Sequence, residues 1–207
     1  MTPAPAILIL AAGASSRMRG GDKLLMPVGG VPCLRVIAER ALTCGLPVAV
    51  ALPPDRPARA QALQGLDLSL ITVHDAALGM GHSIAAGIRA LPDRVTGAIV
   101  LPSDMPDLTA DHLAQFVALH RADPKAIWRA RDASGTWGHP VIFPQDLFPA
   151  LTALTGDDGA RSVIKANASR LKPHDLTGHG ATLDLDTPED WAAYLSASGD
   201  KASGPAD

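Results

Sequence analysis

Short runs of unbroken apolar residues alternate along the chain with longer stretches whose apolar positions recur at helical spacing. Residues 6–12 (AILILAA) are apolar throughout and stop at Gly13, the pattern of a strand covered on both faces of a parallel sheet. A polar, glycine-rich loop follows. Leu34, Ile37, Ala38, Ala41 and Leu42 then share one stripe, predicting a helix over 33–44 that Gly45 ends. Further strands are expected at 47–52, 68–73 and 97–101, with a short helix after Pro54 and another over 83–91. Thr109 is placed to cap a helix running to His120. Segments 126–131 and 140–143 flank an Asp-Ala-Ser-Gly-Thr turn and read as an antiparallel excursion. Helices over 145–154 and 160–167, a last short strand at 183–185, and a helix opened by Pro188 complete the pattern.

Repeated β-then-α units require right-handed crossovers, so the expected fold is a three-layer α/β/α sandwich around a mostly parallel, mixed sheet. Residues 1–196 read as one domain, with halves near 1–108 and 109–196 and a small polar tail over 197–207 expected to be flexible. At 207 residues and 47% apolar composition, a sizeable core is available. A formal charge of -3 and only seven Phe, Trp or Tyr residues argue against nucleic acid as partner. The first apolar run is too short to span a membrane, and the chain reads as soluble and cytoplasmic. Two cysteines, Cys33 and Cys44, lack metal-pair spacing and read as small buried hydrophobes. Lys is scarce, five against thirteen Arg, whereas Asp is common at nineteen. A lysine in a candidate loop therefore carries more information than an aspartate.

In parallel sheets ligands bind beyond the carboxyl ends of the strands, which singles out three loops. Leu10-Ala11-Ala12-Gly13-Ala14-Ser15-Ser16-Arg17-Met18-Arg19-Gly20-Gly21-Asp22-Lys23 combines small residues, which let backbone N–H groups approach a polyanion, with cations that neutralise it. It is neither a P-loop nor a dinucleotide fingerprint. Asp104 follows the 97–101 run, and a carboxylate there suits a divalent cation shared with substrate phosphates. As a turn residue before proline it is equally at home. Asp184 and Asp186 alternate onto one face of the expected 183–185 strand, while Thr187, Glu189 and Asp190 are explained as helix-start chemistry. Gly79-Met80-Gly81-His82-Ser83, Gly138-His139-Pro140 and Gly156-Asp157-Asp158-Gly159-Ala160-Arg161 are the remaining polar, glycine-containing stretches.

The order of these segments resembles the nucleotidyltransferase superfamily with a glycosyltransferase-A-like, Rossmann-like fold. The three later stretches resemble, within it, the molybdenum cofactor cytidylyltransferases. The resemblance covers nearly the whole chain. It implies a nucleotide site at Leu10, Ala11, Ala12, Gly13, Ser15, Ser16, Arg17, Lys23, Gly81 and Ser83, with Arg17, Lys23 and Asp104 catalytic. It implies Mg²⁺ on Asp104 and Asp186, and acceptor contacts from His82, His139, Asp157 and Arg161. Ala12, where sister guanylyltransferases carry glycine, implies CTP rather than GTP. The substrates would be CTP and molybdopterin or its molybdenum cofactor, with an apo-molybdoenzyme or its chaperone as a further partner. One departure stands out: Arg19 is inserted after the Arg-Met pair, before Gly20 and Gly21, which leaves open which cation meets which phosphate.

Alternatives remain at this level. They are a guanylyltransferase for the same cofactor, a cytidylyltransferase for a sugar or polyol phosphate, a non-catalytic carrier of the cofactor, and a dinucleotide-dependent oxidoreductase.

Overall fold

The structure is a computed structural model that describes residues 4–178, 180–183 and 185–197. Its seven-stranded sheet has the order β5-β4-β1-β6-β8-β7-β9. The strands are β1 (Ala6–Leu10), β4 (Val48–Leu52), β5 (Ser69–Thr72), β6 (Gly97–Pro102), β7 (Ile127–Arg131), β8 (Trp137–Pro144) and β9 (Leu171–Asp175), and β2 (Pro27–Val28) with β3 (Val31–Pro32) forms a separate small hairpin. β1 pairs parallel with β4 and β6, and β4 with β5. Only β8 runs against its neighbours β6 and β7. The sheet is therefore mixed and mostly parallel, as the alternating pattern predicts.

Alternation along β1 divides the core. Ile7 and Ile9 face a cluster built on α1 (Cys33–Leu42), α4 (Ala110–Ala122) and Trp191 of α7 (Pro188–Ala197). Leu8 and Leu10 face the other side, against Ile84 and Ile88 of α3 (Met80–Arg89), Leu151 of α5 (Phe148–Thr152) and Val163 of α6 (Arg161–Ala166). Both faces of β1 are covered, which is why its sequence shows no polar alternation.

Local chemistry fixes the boundaries. Gly45 takes φ +64 and its N–H donates to the Leu42 carbonyl, closing α1 in a backbone region where a Cβ is disfavoured. Thr109 Oγ1 accepts from the His112 N–H, and His112 Nδ1 accepts from the Thr109 N–H, so a histidine completes the capping box of α4. At α7, Asp190 Oδ2 accepts from the Thr187 N–H at 2.9 Å and Thr187 Oγ1 accepts from the Asp190 N–H at 3.1 Å.

The last strand is not where the pattern placed it. Leu183 and Leu185 pack on the core outside any strand, and Asp184 lies outside the described residues. Among the described residues the final strand is β9, paired parallel with β7 alone. Its sequence, LKPHD, is polar and contains Pro173, tolerable because an edge strand leaves one row of groups unpaired. α3 also begins at Met80, before the expected position 83. The 197–207 tail is described only at Ala197. Among the described residues no helix is long and apolar enough to cross a membrane.

Candidate active site

The loop after β1 and the end of β6 open on one cleft of about 430 Å³, lined by Leu10, Ala12, Gly13, Lys23, Ser83 and Asp104 among others. Parallel pairing of β1 with β6 brings these two strand ends together. Met105 and Leu108 are buried beyond the strand and hold the Asp104 turn down.

Charges alternate around Lys23. Lys23 Nζ pairs with Asp104 Oδ2 and, at 2.6 Å, with Asp186 Oδ1. The other Asp186 oxygen pairs with Arg17 Nη2 at 2.6 Å. Asp186 is steadied from behind, its backbone N–H donating to the Asp190 carboxylate. Asp104 is only 6% exposed, and its Oδ1 is buried with no hydrogen-bond partner. A buried acceptor without a donor is costly. Burial pulls the Lys23 ammonium down, but the two carboxylates outweigh it and hold its pKa above the ordinary value. Cys33, beneath the site, donates its thiol to the Ser103 carbonyl. Burial, then the nearby Asp104 charge, pushes its pKa up to about 12, so it is no nucleophile.

The inserted residue is absorbed by backbone shape. Arg19 sits at φ +50 and Gly20 at φ +96, and the Gly21 N–H closes back onto the Met18 carbonyl. Arg19 makes an exposed pair with Glu189 of α7. Arg17 and Lys23, not Arg19, pair with Asp186, and Lys23 also with Asp104.

The other expected residues divide. Ala11 is buried, and the Ser15 hydroxyl is engaged with Asp22, while Ser16 is exposed. Gly81 has a packing role: its N–H donates to the Gly156 carbonyl at 2.8 Å, and a Cβ there would come within 2.7 Å of the Thr155 carbonyl oxygen. Gly138 is equally confined, because a Cβ would overlap the Ala181 carbonyl. His139, Asp157 and Arg161 meet in a smaller cavity of about 140 Å³ floored by Leu10, Val100 and Phe143. It adjoins the main cleft through Leu10, Met80 and Asp157. Its His139 Nδ1 is buried without a partner. Burial, then the Arg129 charge, lowers the His139 pKa to about 4, leaving the ring neutral near pH 7. His82 is not part of this group and lines a separate groove with His74, Asp75 and Arg89.

Two arginines escape a reading of the sequence. Arg129, on β7, lines the smaller cavity, with its Nε donating to the Gly138 carbonyl and its guanidinium 5.7 Å from the Trp137 ring centre. Arg59, on α2 (Pro57–Ala62), is fully buried under the β1 loop. Nothing in the segment PARAQA distinguishes it from an exposed helix, because its partners lie up to 48 residues away.

A basic, glycine-rich loop at the end of a central parallel strand thus meets carboxylates from a neighbouring strand end and from the turn before the last helix. The chain belongs to the MobA-like NTP transferase domain family, whose model matches residues 7–172. It is 30% identical over 203 residues to the purine catabolism protein PucB of Bacillus subtilis (strain 168), covering 89% of this chain and 92% of that protein. It is 27% identical over 188 residues to nicotine blue oxidoreductase of Paenarthrobacter nicotinovorans, covering 88% and 92%. The fold matches that of Rv0371c from Mycobacterium tuberculosis H37Rv, solved as a manganese complex, with a TM-score of 0.75 at 23% identity, covering 94% of this chain and 99% of that one.

Proposed function

We propose that the protein transfers CMP from CTP to the terminal phosphate of molybdopterin or its molybdenum cofactor and releases pyrophosphate. The observation that carries the reading is the buried, unpartnered Asp104 Oδ1, set opposite a cationic loop in a cleft of nucleotide size. Among the described residues no cluster of three or more His, Cys, Asp or Glu side chains forms a closed metal cage. Two carboxylates that leave other positions to phosphate oxygens suit Mg²⁺ better than such a cage would. The manganese complex of Rv0371c is in keeping with a divalent ion in this fold.

In this reading, Asp104 and Asp186 hold Mg²⁺, which supplies charge neutralisation on the nucleotide phosphates when bound. Leu10, Ala12, Gly13 and Ser83 line the nucleotide cleft. Lys23 and Arg17 turn from the carboxylates to the polyphosphate and neutralise charge that builds on the departing pyrophosphate. The acceptor's phosphate oxygen attacks the α-phosphorus of CTP as the bond from that phosphorus to the bridging oxygen breaks. That oxygen is already an anion, so no side chain needs to act as nucleophile, and positioning supplies the rest. His139, Asp157, Arg161 and Arg129 line the acceptor side. Ala12, where the guanylyltransferases it resembles carry the smaller glycine, supports a pyrimidine at the base position.

The test is pyrophosphate release from purified protein with Mg²⁺, each of the four nucleoside triphosphates in turn, and molybdopterin. Release with CTP, abolished by Asp104→Ala, is expected. Release with GTP alone would reassign the base, and release with none would refute the transferase reading. Because one relative is named for oxidoreduction, an NADH titration belongs beside it, and saturable NADH binding at the cleft would favour that rival.

A further inference from the structure

Arg59, on the short helix α2, is 0% exposed. Its hydrogen bonds go to the loop that joins β1 to Lys23. Nη1 donates to the Ala11 carbonyl at 2.6 Å, where the strand ends. Nη2 donates to Ser15 Oγ at 3.0 Å, at a residue held in the left-handed region with φ 52. Nε and Nη2 donate to the two Asp22 carboxylate oxygens at 2.7 and 2.9 Å. Asp22 in turn accepts from the Leu24 N–H, capping the turn that carries Lys23. One guanidinium thus ties together Ala11, Ser15 and Asp22, a span of twelve residues. Arg56, from the same segment, adds a bond to the Ala14 carbonyl.

We propose that Arg59 is the positioning residue of the nucleotide loop: it sets the loop's shape from behind, through Asp22, so that Lys23 and the loop backbone meet a polyphosphate preorganised. The inference rests on residues 10–23 being the nucleotide loop. A buried ion pair gives little net stability over an apolar pair of the same volume, but losing one partner strands the other. Only the planar fork of Arg satisfies a carboxylate with two parallel bonds while reaching two further acceptors. A purely structural role would be restored by any pair that packs without a stranded charge. A positioning role would not.

Three variants separate these: Arg59→Met, Arg59→Lys, and the neutralised pair Asp22→Asn with Arg59→Met. Calorimetric titration with CTP and with GTP in Mg²⁺, melting temperature, and amide exchange across residues 11–24 are measured on each. Arg59→Met is expected to melt lower, bind nucleotide at least tenfold more weakly and exchange faster across the loop. The double variant is expected to regain most of the melting temperature and none of the affinity, and Arg59→Lys to leave the affinity unrestored. A double variant that melts and binds like the wild type overturns the proposal, even if Arg59→Met alone fails to fold. Should the wild type bind neither nucleotide, the transferase reading falls, and unchanged loop exchange in the double variant would still refute positioning by Arg59.

Discussion

Replacing Lys23 with methionine removes the cation that bridges Asp104 and Asp186 while keeping a side chain of similar length. Asp104 then keeps neither its ion-pair partner nor any donor for Oδ1. Breaking a buried pair by deleting one partner costs about 3–5 kcal/mol, and the partial exposure of Lys23 and Asp186 argues for the lower end, about 3 kcal/mol. For a chain of this size each kcal/mol moves the melting temperature by about 2–4 °C, so a fall of about 6–12 °C is expected by differential scanning fluorimetry. Two controls make the reasoning refutable. Adding Asp104→Leu to Lys23→Met removes the stranded charge and should recover part of the loss, so the two substitutions are non-additive. On the proposed metal role, Mg²⁺ at about a hundred times its dissociation constant should return about 2.7 kcal/mol to Lys23→Met. A melting temperature unchanged by Lys23→Met, or strict additivity in the double variant, would refute the electrostatic account. Indifference to Mg²⁺ would count against metal binding by these two carboxylates.

The remaining expectations are briefer. His139 is held neutral down to about pH 4, below the ordinary histidine value of 6.5, so the unfolded chain takes up a proton there before the native one does. The stability from this neutral ring is therefore complete above about pH 6.5 and lost as pH falls toward 4; urea denaturation across that window should be less steep in pH for His139→Gln than for the wild type, although His112, His120 and His174 contribute with the same sign in both. Gly138→Ala must displace the Ala181 carbonyl and should cost about 1–3 kcal/mol as an overpacked site, read by chemical denaturation. Gly13→Ala meets nothing within 4 Å and should leave the melting temperature where it was. Thr109→Ala deletes the side-chain half of the α4 capping box and should cost about 1 kcal/mol, measured the same way.

How much of this was readable in advance follows from where burial is one-sided or complete. β1, β4 and β6 announce themselves because both faces of each are covered and every position is apolar. The antiparallel excursion into β8 was readable from its turn, whereas β9 was not, because an edge strand with exposed Lys172, Pro173 and Asp175 carries a loop's composition. The expected strand at 183–185 misled for the converse reason: Leu183 and Leu185 pack into the core as single anchors without joining the sheet. At the site, Lys23 stood out through rarity and Asp104 through its place at a strand end. Arg59 and Arg129 were hidden, since their significance lies in contacts with distant segments and not in local periodicity. Gly81 suggests a ligand contact in the sequence, and the structure shows backbones in close approach there instead.

The ion pairs in the cleft span almost the whole chain, Lys23 meeting Asp186 across 163 residues. Loop closure of that length forms late, after the locally built units around it. During synthesis, the β1 loop leaves the ribosome long before the carboxylate that completes its charge pattern exists. The pairs to Asp186 are therefore expected to form in a late folding step, as the last helix docks through Trp191. In a refolding experiment, secondary structure should return before the cleft regains its paired charges. A chain halted before Asp186 would leave Arg17 without its carboxylate and Lys23 with Asp104 alone.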